Sequence, residues 1–311
     1  MLIALCILRY KALRRTKEYQ IVLGVAIADA LNMIAYLMAG VRRMYMLLSG
    51  TLDTYLSAWQ CALRLHNIIW SFSDQLAGLV LAVVSLDRLL AVCSPMAYLG
   101  LTQTYTIGLM IGVYAYCIFT GTFLLYLQVA LNGRTRQVKA VCFTSYLLAD
   151  TPATYKFYYS FSGSTFAAVS VLLYVFVWLV YKKKQAQTAP TGDQQGEQAR
   201  LRRQRRLTVS LGISCVCTFF IYVLPYSMGY SLRATVLKEI VPIPAWFDTI
   251  IFFIISNFNP LFNVFIYTLR HQEVKMGLKA LLSCKQMPAH VSLWKSIHLA
   301  TMQRDTVTGR N

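Results

Sequence analysis

The chain has 311 residues, of which 57% are apolar and only 14% charged, and its formal net charge is +18. A soluble domain carries about a quarter charged residues, so most of this chain has lipid as its solvent. The Lys and Arg residues gather in the connectors between apolar runs, which is the membrane pattern and argues against a nucleic-acid-binding surface. No Gly-rich phosphate loop, paired C-x-x-C or H-E-x-x-H occurs, so no common enzyme motif is present. The eight cysteines are scattered. Five of them (Cys6, Cys93, Cys117, Cys215 and Cys217) lie in or beside apolar segments, where a buried free thiol is expected.

Residues 1–8 are apolar but reach Arg9 too soon for a bilayer that needs about 20 helical residues. They read as the last third of a first spanning helix whose upstream part is missing. Arg9, Lys11, Arg14, Arg15 and Lys17 form a basic first loop, placed inside. A second span over residues 21–40 carries one charge, Asp29. A mid-helix carboxylate in lipid costs at least about 2.5–3.5 kcal/mol, so it should face the bundle interior, either as a site or as a protonated packing acid.

Arg42, Arg43 and Asp53 fall in an outer loop, ahead of Cys61. The third span, residues 67–86, contains a second membrane acid, Asp74. With Asn67 and Trp70 it forms a stripe at helical spacing, expected to face an outer cavity alongside Tyr226. Asp74 lies about 21 Å of helix above Arg88. It is either neutral and bonded to neighbouring hydroxyls, or an anionic group for a cationic or hydrogen-bond-donating ligand with Trp70 and Tyr226 as aromatic walls.

The span ends in D-R-L-L-A-V-C-S-P-M-A-Y, Asp87–Tyr98. Adjacent helical residues do not face each other, so a simple intrahelical bridge between Asp87 and Arg88 is not expected. An isolated Arg there would snorkel to the headgroups. Residues 98–106 make a short inner loop and 107–131 a fourth span. Residues 132–156 form an outer loop with Cys142, and 157–181 an aromatic-rich fifth span.

Residues 185–198 read as a linker and 200–206 as a dense basic run near anionic lipid. The sixth span, 207–230, carries Pro225, which bends a helix. The seventh, 245–269, places Asn259, Asn263 and Tyr267 on one face. Beyond it Val274, Leu278, Leu281 and Leu282 recur at helical spacing, as in an interfacial helix. Cys284 follows, either palmitoylated or free.

The spacing D-R-x-x-A-V-x-x-P-x-x-Y, the A-I-A-D of the second span, the Phe219–Pro225 bend and the Asn/Tyr set of the seventh span resemble rhodopsin-like (class A) G-protein-coupled receptors. Departures include Leu89 after Asp87-Arg88, Gly24 for a usual Asn, Val223 for a usual Trp, and Pro260 moved one turn early. The missing Trp of the fourth span, Val223 in place of the sixth-span Trp and Val264 for a usual Pro look like nematode serpentine chemosensory receptors.

The resemblance implies an all-α membrane protein: a seven-transmembrane-helix bundle over residues 1–285, first helix incomplete, with a short interfacial helix and a cytoplasmic tail, 286–311. It implies a multi-pass plasma-membrane receptor that binds an extracellular small-molecule or peptide ligand and activates a heterotrimeric G protein. Asp87, Arg88 and Tyr267 would be the coupling residues. Asp29, Asn259 and Asn263 would form an interior water site that can hold sodium. A Cys61–Cys142 disulfide would join the third helix to the second outer loop. No enzyme activity or other cofactor is expected. The alternatives are a secondary transporter with Asp29 and Asp74 as ion sites, for which no internal repeat is visible, and a scaffold that traffics other receptors.

Overall fold

The structure, a computed structural model, describes residues 1–130, 137–142, 153–187, 209, 212–213, 215–224 and 256–285. The chain begins with two short helices, α1 (Leu2–Arg9) and α2 (Lys11–Arg14), then α3 (Lys17–Leu48). A short strand β1 (Tyr55–Ser57) and helix α4 (Ala58–Ala62) lead into α5 (Leu65–Cys93). Helices α6 (Pro95–Gly100) and α7 (Gln103–Ala130) follow, then strand β2 (Gln137–Lys139) and helix α8 (Ala153–Gln187). A π-helical turn spans Phe219–Val223. Helices α9 (Ser256–Arg270) and α10 (Gln272–Leu282) complete the described elements.

Four of these helices are long and apolar enough to cross a membrane: Tyr19–Leu48, Leu65–Cys93, Gln103–Leu127 and Phe161–Lys183. They correspond to the second to fifth expected spans. Helix α5 is the central post, packed against α3, α7 and α8. The α5–α8 contact is a glycine contact: a Cβ on Gly78 would lie 2.2 Å from the Gly163 carbonyl oxygen. Small residues let backbones approach where lipid supplies no hydrophobic drive between helices. Gly24 plays a similar part on α3. Its carbonyl accepts a 2.8 Å bond from the Tyr114 hydroxyl, and a Cβ there would meet Met110 Sδ at 2.6 Å.

Helix ends differ from expectation in instructive ways. Arg42 and Arg43 do not lie in a loop but in the last two turns of α3. The stop comes later, at Ser49-Gly50, where Gly50 takes φ +66° and the Thr51 N–H closes on the Met46 carbonyl at 3.0 Å. That is a Schellman ending. Helix α5 likewise runs past Leu86 to Cys93, because the first residue that breaks it is Pro95, which opens α6.

The interfacial helix exists as α10, but its buried face is Val274, Gly277 and Ala280, not a row of leucines. Leu282 is exposed. Gly277 receives α1: a Cβ there would lie 2.6 Å from Cys6 Sγ. Of the five thiols expected to be buried, Cys6, Cys117 and Cys215 are, whereas Cys93 is exposed and Cys217 intermediate. The hydrophobic core runs through the half of the bundle that holds Arg88, from Ile7 and Val22 across Val80 and Val84 to Tyr267 and Val274.

Candidate functional site

Three polar layers sit along α5. At the inner end, Arg88 is 2% and Asp87 1% exposed. Arg88 Nε and Nη2 donate to Asp87 Oδ2 at 3.1 and 2.5 Å. The two do form an intrahelical pair, against the expectation from their adjacency. The guanidinium is long enough to turn back across its own helix, so the geometry of neighbouring Cβ atoms does not limit it.

Tyr98 closes the pair into a ring. Arg88 Nη2 donates to its hydroxyl at 2.7 Å, and the hydroxyl donates to Asp87 Oδ2 at 3.1 Å. Tyr98 is itself pinned by Lys17, whose Nζ donates to the Tyr98 and Leu101 carbonyls at 2.9 and 3.3 Å and lies 3.8 Å above the Tyr98 ring. Tyr98 belongs to the motif read from sequence, but its role as the third corner of this ring was not legible there. Tyr267 is buried. Tyr174 lies within electrostatic reach of both Tyr267 and Arg88. A Cβ on Gly212 would lie 2.7 Å from the Tyr174 ring.

In the middle layer, Asn263 Nδ2 donates to Asp29 Oδ2 at 2.9 Å, which joins α9 to α3. One turn away on α9, Asn259 Oδ1 accepts a 2.7 Å bond from Thr218, the residue before the π-helical turn. Asp29, Asn259 and Asn263 line one small cavity with Val25, Ala28, Ala77, Val80 and Leu81. It has room for about one water. The carboxylate and two amide oxygens are the hard donors that a small cation takes, so the donor set fits sodium.

Ser85, Ser170 and Cys215 form a second buried knot. Ser85 Oγ and Ser170 Oγ are 2.9 Å apart, and Ser170 Oγ donates to Cys215 Sγ at 3.2 Å. Cys215 was expected as a buried thiol, but nothing in the sequence singled out Ser85 or Ser170, because each is a small polar residue inside an apolar run.

At the outer end, Cys61 and Cys142 form the expected disulfide, with Cα atoms 5.4 Å apart. The strands β1 and β2 pair antiparallel beside it, Leu56 opposite Val138. Among the described residues, the stripe Asn67–Trp70–Asp74 meets the disulfide, α3 and α7. Asn67 is 1% exposed and its Nδ2 donates to the Cys61 carbonyl at 2.8 Å. Trp70 packs with Ala35 and Leu124. Tyr36 shares a side-chain hydrogen bond with Trp70 and lies within reach of the Asp74 and Arg43 charges. A large aromatic on α5 finds its burial against the neighbouring helices α3 and α7, which turns the whole stripe that way. Tyr226 lies outside the described residues, as do the basic run 200–206 and the tail 286–311. Cys284 is exposed just beyond α10.

A comparison with curated proteins found no match. The model of the family described as 7 transmembrane receptor (rhodopsin family) matches residues 1–267. That stretch holds the Arg88 ring, the Asp29–Asn263 link and the Cys61–Cys142 disulfide, and the chain therefore belongs to the rhodopsin family of seven-transmembrane receptors.

Proposed function

We propose that this receptor couples capture of an extracellular, chemosensory ligand to nucleotide exchange on a heterotrimeric G protein at its inner face. The observation that carries the reading is the burial of Arg88 in a ring with Asp87 and Tyr98. A buried ion pair is weak evidence for stability, because desolvation offsets most of its Coulomb energy. It is well suited to a two-state element, in which one arrangement hides the cation and the other offers it to a partner. Agonist would shift the population towards the arrangement that releases Arg88, to the extent of its differential affinity for the two states. Tyr267 and Tyr174 flank the surface that Arg88 would then enter.

Asp29, Asn259 and Asn263 would hold a sodium ion or water that favours the closed arrangement, since Thr218 ties this layer to the π-helical turn. Asp74 would be the acid at the floor of the ligand pocket, with Trp70 and Asn67 as the walls that fix it and Tyr226 beyond. Cys284 would carry a palmitoyl chain against the inner leaflet. The family membership supports a receptor and lends nothing to the secondary-transporter alternative. The test is a ligand screen read as nucleotide exchange on purified G protein. A receptor gives ligand-stimulated exchange, whereas a transporter or a trafficking scaffold does not.

A further inference from the structure

The outer end of α3 and the first turn of α5 gather positive charge. Arg42 and Arg43 occupy the last turns of α3, Arg64 is the N-cap residue of α5, and His66 follows within its first turn. All three guanidinium groups lie within electrostatic reach of the His66 ring. His66 is 6% exposed, yet its Nε2 is buried without a hydrogen-bond partner among the described residues, as is Nε of Arg42. Arg42 Nη2 is engaged, donating to the Ala140 carbonyl at 3.2 Å, which fixes the side chain under the second outer loop.

Buried polar atoms are matched in folded proteins, and an unmatched one calls for an explanation. Helix α5 adds to the field, since its first N–H groups have no intrahelical acceptor and its N-terminus is the positive end of the helix dipole. Among the described residues of the outer loops the acid is Asp53, and it is occupied by Lys139 at 3.2 Å. Asp74 lies eight residues further along α5, about 12 Å deeper, beside Tyr36.

The geometry points to an anion-binding site at the outer mouth, built by Arg42, Arg43, Arg64 and His66, which takes the carboxylate, phosphate or sulfate group of the extracellular ligand. The Arg guanidinium is suited to these planar and tetrahedral anions because its donors form a fixed fork. A phospholipid headgroup offers the same chemistry. The soluble ligand is favoured because the His66 ring is buried within the protein, and its neighbour Asn67 bonds to the disulfide loop. This inference rests on the receptor reading for its biological role, but the anion site itself is measurable without it.

The test uses the full chain in phosphatidylcholine nanodiscs, with inorganic phosphate or sulfate as probe and chloride at matched ionic strength as control. Binding to the folded state raises the unfolding midpoint by mass action. A saturable rise with phosphate or sulfate and not with chloride is expected. The apparent Kd should weaken at least about tenfold in both His66→Gln and Arg64→Gln. Arg64 is exposed, so its variant does not disturb packing. No rise in wild type, or an equal rise in both variants, would overturn the site. A response that vanishes when phosphatidylserine is added to the disc would assign the site to lipid and overturn the ligand assignment, and persistence supports it. No G protein enters the readout, so failure here leaves the signalling test independent.

Discussion

Arg88 and Asp87 are both almost wholly buried, and a buried charge is tolerable only while its partners stay in place. Tyr98 supplies the third corner from a short inner helix. Tyr98→Phe removes two hydrogen bonds to charged groups, each worth about 1.5–3 kcal/mol at most. Basal nucleotide exchange should therefore rise, by up to about tenfold for a net shift of about 1.4 kcal/mol. An unchanged basal rate at equal surface expression would show that Tyr98 does not restrain Arg88. Asp29→Asn should abolish the sensitivity of signalling to sodium, because it removes the carboxylate that Asn263 holds at 2.9 Å. Unchanged sodium sensitivity together with an unchanged agonist response would leave Asp29 a packing acid. The ionisable residues of this site were legible because charge in lipid is costly and therefore conspicuous. Thr218, Ser85 and Ser170 were not, since a hydroxyl inside an apolar run carries no such signal, and Tyr98 was legible as a motif residue but not as the partner of Arg88.

Helix identity was legible from apolar length, whereas helix ends and faces were set by contacts that no periodicity records. Helix α3 passes Arg42 and Arg43 because its stop is the Gly50 turn. The face of α10 is chosen by the fit of Gly277 on Cys6. The glycine contact between α5 and α8 gives a direct test. Gly78→Ala forces a methyl to within 2.2 Å of a backbone carbonyl, which cannot swing aside. Overpacking of this kind costs about 1–3 kcal/mol, so the unfolding midpoint in detergent should fall, and an unchanged midpoint would mean the helices separate freely. The disulfide between α4 and the second outer loop closes a separation of 81 residues. Cys142→Ser should cost about 2–5 kcal/mol, read as a lower midpoint and reduced surface expression. Peptide mapping without reductant should recover the Cys61–Cys142 link, and two free thiols would refute it.

Over the whole molecule, the family and the membrane location were readable from a few spaced motifs and the charge deficit, and the match over residues 1–267 agrees with them. The direction of the Asn67–Trp70–Asp74 stripe was not readable, because a helical stripe gives a common side but not the neighbour that side meets. The protein is a multi-pass plasma-membrane receptor whose polar layers are stacked along α5, from the outer disulfide through the Asp29 level to the Arg88 ring. We propose that Arg88, released from Asp87 and Tyr98, engages the G protein. The most direct measurement is nucleotide exchange on purified heterotrimeric G protein, with wild-type and Arg88→Ala receptor reconstituted in equal amounts. The wild-type receptor should accelerate exchange above the rate of the G protein alone, and Arg88→Ala should return it to that rate. Equal acceleration by both would contradict the account.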